Sequence, residues 1–143
     1  MNAVVARFAE TVERTYPDGI SKVRAIIGAR TDLPLGKNVA SPVLWSFGVA
    51  TVNPGGEIAR HTHHEREELF YIISGAGAVE AGTETFPADP GTAIWFPVGC
   101  EHRIFNPGTE PVVVIFAGIL SPGSTFGISG RKRSASANEE EIR

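Results

Sequence analysis

Short apolar runs, separated at regular intervals by turn residues, dominate the chain between Val43 and Leu120. The runs are rich in β-branched and aromatic residues, whereas Gly, Pro, Asn and Asp are frequent between them. Strands of this length, with no helical stretch among them, are typical of an antiparallel sandwich or barrel. The sequence therefore predicts an all-β domain. The predicted strands are Val43–Val52, Glu57–His63, Glu68–Ser74, Gly77–Ala81, Thr83–Phe86, Ala93–Phe96, His102–Phe105 and Val112–Leu120.

The two ends of the chain differ from this middle part. Residues 1–39 predict an N-terminal arm, with a short helix in its first half and a strand near residues 22–29 that could extend a partner's sheet. Residues 40–120 form the predicted barrel. Residues 121–143 are rich in Ser, Gly and charged side chains, so we expect a C-terminal tail that is largely disordered.

Composition and charge exclude several classes of function. A chain of 143 residues with 42% hydrophobic content fits one soluble domain. A net charge of −3 does not indicate the basic surface that nucleic-acid binding requires. The longest apolar run, Val112 to Leu120, is too short to cross a membrane as a helix. The N-terminus lacks the pattern of a signal peptide, and the single cysteine, Cys100, excludes an internal disulfide. We therefore expect a cytoplasmic protein without nucleic-acid or membrane partners.

Three histidines and a glutamate form the candidate functional cluster. His61 and His63 alternate along a predicted strand, so their imidazoles lie on the same face. With Glu68 and His102 they make a mixed nitrogen and oxygen ligand set, which suits one divalent transition metal ion: Fe, Mn, Ni, Co, Zn or Cu. If all four bind an octahedral ion, two positions remain for substrate or dioxygen. The centre then keeps one positive charge, which favours an enolate, carboxylate or catecholate oxygen.

The two stretches that carry these residues resemble the two sequence motifs of the cupin superfamily. Gly55 to Gly75 fits the first motif, G-x5-H-x-H-x4-E-x6-G, and Gly91 to Asn106 fits the second, G-x5-P-x-G-x2-H-x3-N, at every specified position. The resemblance implies a double-stranded β-helix, or jelly-roll barrel, and a homodimer. It also implies that the metal is bound inside the barrel by His61, His63, Glu68 and His102.

The first motif also orients the residues around the predicted ligands. Glu67 is an alternative ligand, but Glu68 has the motif's interval to its last glycine. Strand alternation from Glu68 predicts that Phe70 and Ile72 point inward and belong to the substrate pocket. In small cupin lyases that cleave dimethylsulfoniopropionate, a tyrosine two residues after the ligand glutamate is the base. Phe70 occupies that position here, which disfavours this activity.

Residues near the motifs have simpler interpretations. We expect His64 on the surface, Cys100 as a turn residue, and Arg60 and Arg103 pointing outward rather than holding a substrate carboxylate. Glu101 is either a partner of a ligand imidazole or exposed. The aromatic residues predicted to pack in the core are Trp45, Phe47, Trp95, Phe96 and Phe105.

The motifs indicate metal-dependent chemistry on a small organic acid, ketone or phenolic compound. The leading hypothesis is an Fe(II)-type dioxygenase, in which apolar neighbours keep the site dry. A metal-dependent lyase, isomerase or decarboxylase would use the same ligands and would need an inward base, such as a tyrosine, lysine or free carboxylate. A non-catalytic binding module would need only the pocket.

Overall fold

The protein folds into two β-sheets that enclose one hydrophobic core, according to a computed structural model that describes residues 2–29 and 36–124. The predicted disordered tail lies outside the described residues from position 125 onward. The strands are β1 (Arg14–Thr15), β2 (Lys22–Gly28), β3 (Lys37–Asn38), β4 (Leu44–Val52), β5 (Glu57–His61), β6 (Arg66–Ser74), β7 (Gly77–Ala81), β8 (Glu84–Ala88), β9 (Ala93–Phe96), β10 (His102–Phe105) and β11 (Val112–Leu120).

The two sheets have different sizes and confirm the predicted all-β jelly-roll fold. The larger sheet has the order β1-β2-β4-β11-β6-β9, and β3 adds to β2 in parallel. The smaller sheet has the order β5-β10-β7-β8. All pairings except that of β2 with β3 are antiparallel. Strand β11 alternates strictly between buried and half-buried residues, so its inner face packs in the core.

The N-terminal segment departs from the predicted helix. Among the described residues of this segment, only Phe8–Glu10 is helical, as a single 3₁₀ turn that buries no side chain. A helix this short needs tertiary packing to form, and an exposed apolar stripe does not supply it. The predicted strand is present as β2, which pairs with β4 and β1. Among the described residues there is no helix long and apolar enough to span a membrane.

The core is built from the inward faces of both sheets. Ile58, Val79 and Ile104 come from the smaller sheet and meet Ile72 and Val114 of the larger one. Burial of this apolar surface is the main contribution to stability.

Two of the aromatic residues predicted for the core lie on the surface instead. Trp95 is 58% exposed and Phe47 is also exposed, whereas Trp45 and Phe96 are buried and Phe105 is half-buried. The reason is strand parity: Trp95 pairs with the exposed Leu69 and therefore shares its outward face.

Gly75 explains why the first motif ends on glycine. Its φ angle is +84°, a left-handed conformation that side chains disfavour. A Cβ atom at this position would also lie 2.3 Å from the carbonyl oxygen of Pro111. Glycine therefore lets the chain turn after β6 while it passes directly against the segment that leads into β11.

Candidate metal centre

Both sheets contribute to the cluster of three histidines and one glutamate. His61 ends β5 and His102 begins β10, and the antiparallel register of these strands places the two residues opposite each other. Glu68 comes from β6 of the larger sheet, and His63 lies in the connection that leads to β6. One nitrogen or oxygen atom from each of the four residues lies within 4.8 Å of the others. The structure thus brings together the four residues that the sequence predicts as ligands.

The separations within the cluster are those of neighbouring ligands around one ion. Nε2 of His63 lies 3.1 Å from Nε2 of His61 and 3.1 Å from Oε2 of Glu68. The same carboxylate oxygen lies 3.0 Å from Nε2 of His102. Two ligands at right angles on bonds of about 2.1 Å are about 3.0 Å apart, so the residues fit a transition metal ion.

Backbone carbonyls orient two of the imidazoles. The Nδ1 atom of His61 lies 2.7 Å from the carbonyl oxygen of Ala59, and Nδ1 of His102 lies 3.0 Å from that of Cys100. A carbonyl accepts hydrogen bonds only, so each Nδ1 carries the proton and donates it. Each Nε2 then has a free lone pair directed at the centre of the cluster, as metal ligation requires.

Burial and hydrogen bonding hold the cluster in the protonation states that bind a cation. Burial lowers the pKa of His61 to about 3, with further lowering from His102 and His63, and burial also lowers the pKa of His63. Burial alone would raise the pKa of Glu68, but the adjacent imidazoles of His102 and His63 and the positive charge of Arg66 hold it well below its usual value. Two imidazoles are therefore neutral, and the carboxylate is ionised, at neutral pH.

Two aromatic rings pack against one side of the cluster. The ring of Phe96 is stacked on the imidazole of His102, and the ring of Phe70 lies edge-on to it with centroids 6.0 Å apart. The inward direction predicted for Phe70 is observed, and this residue lines the pocket. Ile72 also points inward, but it is fully buried in the core and is not among the described residues that line the pocket.

A pocket of about 540 Å³, including its solvent-open mouth, adjoins the cluster. His61, His63 and Glu68 contribute to its wall, and the other lining residues come mostly from the larger sheet. These residues are Arg14, Tyr16, Val23, Ala25, Trp45, Ser46, Ala50, Ile58, Arg66, Phe70 and Phe116.

Three ionisable pocket residues were missed by the reasoning from sequence. Arg66 could have been found, because it has the same strand parity as Glu68 and therefore points inward. Arg14 and Tyr16 carry no local signal, since only the pairing of β1 with β2 brings this segment to the pocket. Tyr16 is buried, and burial and then the charge of Glu68 raise the pKa of its hydroxyl, which is protonated at neutral pH.

The arginines singled out in the sequence lie elsewhere. Arg60 pairs with Glu80 and Glu101, and Arg103 pairs with Glu57 and Glu80, on the outer face of the smaller sheet. Glu101 is thus exposed, and it forms an ion pair with Arg60 rather than a contact with a ligand imidazole.

The remaining candidates have structural positions. His64 is exposed, and Cys100 is half-buried in the turn before His102. Glu67, the alternative ligand, accepts a hydrogen bond from the indole of Trp95 outside the barrel.

Comparison with known proteins agrees with the fold. Residues 48–118 match the sequence profile of the cupin domain family. The chain belongs to the cupin superfamily. This cupin superposes on a predicted oxalate decarboxylase from Thermotoga maritima with a TM-score of 0.67 and 21% identity, over 82% of this chain and 100% of that one.

Two further matches are closer in sequence but shorter. A putative sugar phosphate isomerase from Acidithiobacillus ferrooxidans is 32% identical, with a TM-score of 0.50, over 53% of the cupin and 50% of that chain. Mannose-1-phosphate guanylyltransferase of Klebsiella pneumoniae is 35% identical over 65 residues, which are 46% of the cupin and 14% of the relative. The cupin thus spans half or less of the length of these two proteins.

Proposed function

We propose that this cupin is a metal-dependent enzyme that moves a proton on a small oxygen-containing substrate, as an isomerase, lyase or decarboxylase does. When bound by His61, His63, Glu68 and His102, a divalent ion supplies Lewis-acid polarisation of a substrate oxygen. The observation that carries the proposal is the position of Tyr16, which is buried and lines the same pocket as His61 and Glu68. It is the inward proton-handling group that redox-neutral chemistry requires.

The rest of the pocket suits this chemistry. The hydroxyl of Tyr16 can donate a proton to a substrate carbon or oxygen on which negative charge develops. Phe70, Phe116 and Ile58 form apolar walls that exclude water and strengthen electrostatic interactions with the substrate. The match to a chain named as a putative sugar phosphate isomerase supports the same class of reaction.

Replacement of one tyrosine by phenylalanine tests the proposal, since the chain has two tyrosines in different environments. The metal-loaded protein would be incubated under nitrogen in D2O with a panel of 2-hydroxy acids, 2-keto acids and β-diketones. Deuterium uptake and product formation would be followed by NMR. We expect Tyr16→Phe to lower kcat by about a hundredfold or more at unchanged metal content. Tyr71→Phe is the matched control, because Tyr71 is exposed on the outer face.

The Fe(II)-type dioxygenase hypothesis stays a second candidate. The ligand set also suits Fe(II), and the apolar walls around Phe70 and Phe116 would protect an oxygen-sensitive reaction. The same panel separates the two reactions when oxygen uptake is recorded. Oxygen consumption with Fe(II) protein, without any turnover under nitrogen, would contradict the redox-neutral proposal and support the dioxygenase.

A further inference from the structure

Asp18 holds the turn that follows Tyr16 in a closed shape. One of its carboxylate oxygens, Oδ1, accepts hydrogen bonds from the backbone N–H groups of Ile20 and Ser21, at 3.0 and 2.9 Å. The turn is also closed at its base, where the N–H of Tyr16 donates to the carbonyl oxygen of Ser21 at 2.9 Å. Tyr16 therefore begins a hydrogen-bonded turn that has Asp18 near its middle.

The second carboxylate oxygen of Asp18 reaches a distant part of the chain. Oδ2 accepts a hydrogen bond from the backbone N–H of Glu57 at 2.9 Å and another from the hydroxyl of Ser21 at 2.5 Å. Glu57 is the first residue of β5, and the last residue of this strand is the predicted metal ligand His61. The carboxylate thus links the turn after Tyr16 to a strand of the metal-binding cluster.

The chain before β5 lies directly against this link. The side-chain amide of Asn53 donates a hydrogen bond to the carbonyl oxygen of Ile20 at 2.7 Å, which ties the turn to the same region a second time. A Cβ atom at Gly56 would lie 2.5 Å from Oγ of Ser21 and 2.7 Å from Oδ2 of Asp18. Glycine at position 56 therefore leaves the room in which the carboxylate and the strand meet.

The strand that precedes Tyr16 is too short to fix this residue without help. β1 lies at the edge of the larger sheet and pairs with β2 over two residue pairs. Because two paired strands are marginally stable by themselves, the position of Tyr16 depends also on the turn that follows it. Burial alone would raise the pKa of Asp18, but hydrogen bonds, first that from Ser21, lower it, so the acceptor is an ionised carboxylate at neutral pH. Hydrogen bonds to an ionised acceptor are stronger than those between neutral groups.

We propose that Asp18 is a positioning residue, which holds the hydroxyl of Tyr16 in the pocket by tying the turn after it to β5. The inference rests on the proposed function, in which Tyr16 moves the proton. Asp18 is not among the described residues that line the pocket, so it acts on the reaction through Tyr16. Such an effect is large, because a displacement of about 1 Å at a reacting group can lower the rate about a hundredfold.

The two tyrosines of the chain provide a readout that depends on neither metal nor turnover. Metal-free protein with isotope-labelled tyrosine rings would be titrated with a soluble gadolinium chelate, which speeds the NMR relaxation of protons near solvent. Tyr71 is 46% exposed and is the internal reference, whereas Tyr16 is 9% exposed. We expect Asp18→Asn to raise the relaxation enhancement of Tyr16 severalfold, toward that of Tyr71. An amide has one acceptor oxygen, so it cannot keep the bonds of the turn and also accept from Glu57.

Further variants test whether the effect belongs to this link. Asp89→Asn removes the same charge from an exposed turn residue and should leave the relaxation of Tyr16 unchanged. If Asp18→Asn fails to fold, as judged by circular dichroism, Gly56→Ala replaces it, since the added methyl group displaces the same carboxylate. In turnover, Asp18→Asn should lower kcat about tenfold or more in the wild type and should have no further effect on Tyr16→Phe.

The outcomes separate this inference from the proposed function. Unchanged relaxation of Tyr16 in Asp18→Asn, or in Gly56→Ala where that variant replaces it, would overturn the role of Asp18. An equal loss of kcat with and without the hydroxyl of Tyr16 would overturn it as well. Full activity of Tyr16→Phe would instead overturn the proposed function, while the relaxation measurement would still report whether Asp18 holds Tyr16 in place.

Discussion

The ring of Phe96 lies parallel to the imidazole of His102, with centroids 4.0 Å apart and 13° between the planes. His102 is held from a second direction by the hydrogen bond from Nδ1 to the carbonyl oxygen of Cys100. Together the stack and the hydrogen bond leave the imidazole one orientation, in which Nε2 points toward Glu68. Its neighbours in the protein thus already hold His102 in the orientation that metal ligation requires.

Removal of this ring should loosen the metal site as well as the core. Phe96 is almost fully buried, so Phe96→Ala should lower the free energy of unfolding by about 3 kcal/mol or more. Metal affinity, measured by competition with a chelator, should fall about tenfold or more because His102 loses its support. Phe86→Ala, at a more exposed position, serves as the control. Unchanged metal affinity in a destabilised Phe96→Ala protein would show that the stack has no orienting role.

The metal-binding assignment predicts a clear pattern among the four histidines of the chain. His61→Ala and His102→Ala should each abolish stoichiometric metal in a folded protein, as measured by elemental analysis. His64→Ala should retain the metal, because this histidine is exposed beside the cluster. Full metal content in both of the first two variants would refute the site.

Stability of the metal-free protein should fall on acidification. An unfolded histidine takes up a proton below about pH 6.5, whereas the pKa of His61 in the folded protein is about 3, so protons favour the unfolded chain between these values. Protonation of His61 in the unfolded chain should therefore lower the free energy of unfolding by about 2 kcal/mol at pH 5 relative to pH 8. Urea unfolding with EDTA measures this loss.

The contribution of His61 is isolated by comparison with His61→Asn. This variant should lose less stability than the wild type between pH 8 and pH 5. An equal or larger loss in the variant would contradict the assignment of the effect to His61.

Two motif glycines should respond differently to the same substitution. Gly75 and Gly91 have φ angles of +84° and +85°, so alanine is strained at both. A Cβ atom at Gly91 meets no neighbour within 4 Å, whereas one at Gly75 meets the backbone of Pro111. We expect Gly91→Ala to lower the free energy of unfolding by about 1 kcal/mol and Gly75→Ala to lower it clearly more. Urea unfolding of both variants measures the two losses. Equal costs would mean that backbone conformation alone explains both glycines.

The homodimer implied by the cupin resemblance stays a prediction, and the outer face of the larger sheet is the surface that we expect it to bury. Leu69, Tyr71 and Trp95 are exposed on the adjacent strands β6 and β9. A two-fold dimer places one patch against its own copy, which suits an apolar patch. Leu69→Lys should then yield a monomer by light scattering, whereas Val98→Lys, outside the strands, should not. A monomeric wild-type protein would contradict the prediction.

The sequence predicted the elements that depend on local patterns. Turn residues and strand alternation gave the strands from β4 onward to within two residues at each end, although His63, expected on the same strand as His61, lies in the connection after β5. The motif intervals selected Glu68 over Glu67, which lies outside the barrel. Alternation also gave the inward direction of Phe70 correctly. The same alternation, extended backward from Glu68, also predicts that Arg66 points inward.

Local sequence patterns did not predict the features that depend on which strands pair with each other. Tyr16 reaches the pocket only because β1 pairs with β2, and a pairing of short strands leaves no periodic signal in the sequence. Trp95 was assigned to the core from its residue type, but its register with Leu69 turns it outward. Residue type predicts burial on average, whereas register decides it for each strand.

The central position of β11 constrains the order in which the barrel can assemble. Strands β4 and β6 have no other link within the larger sheet, because each pairs with β11 rather than with the other. A nascent chain that ends at Gly108 already carries all four metal-binding residues, yet it lacks the strand that joins Trp45 to Arg66. We therefore expect the pocket to close only once β11 pairs with both β4 and β6.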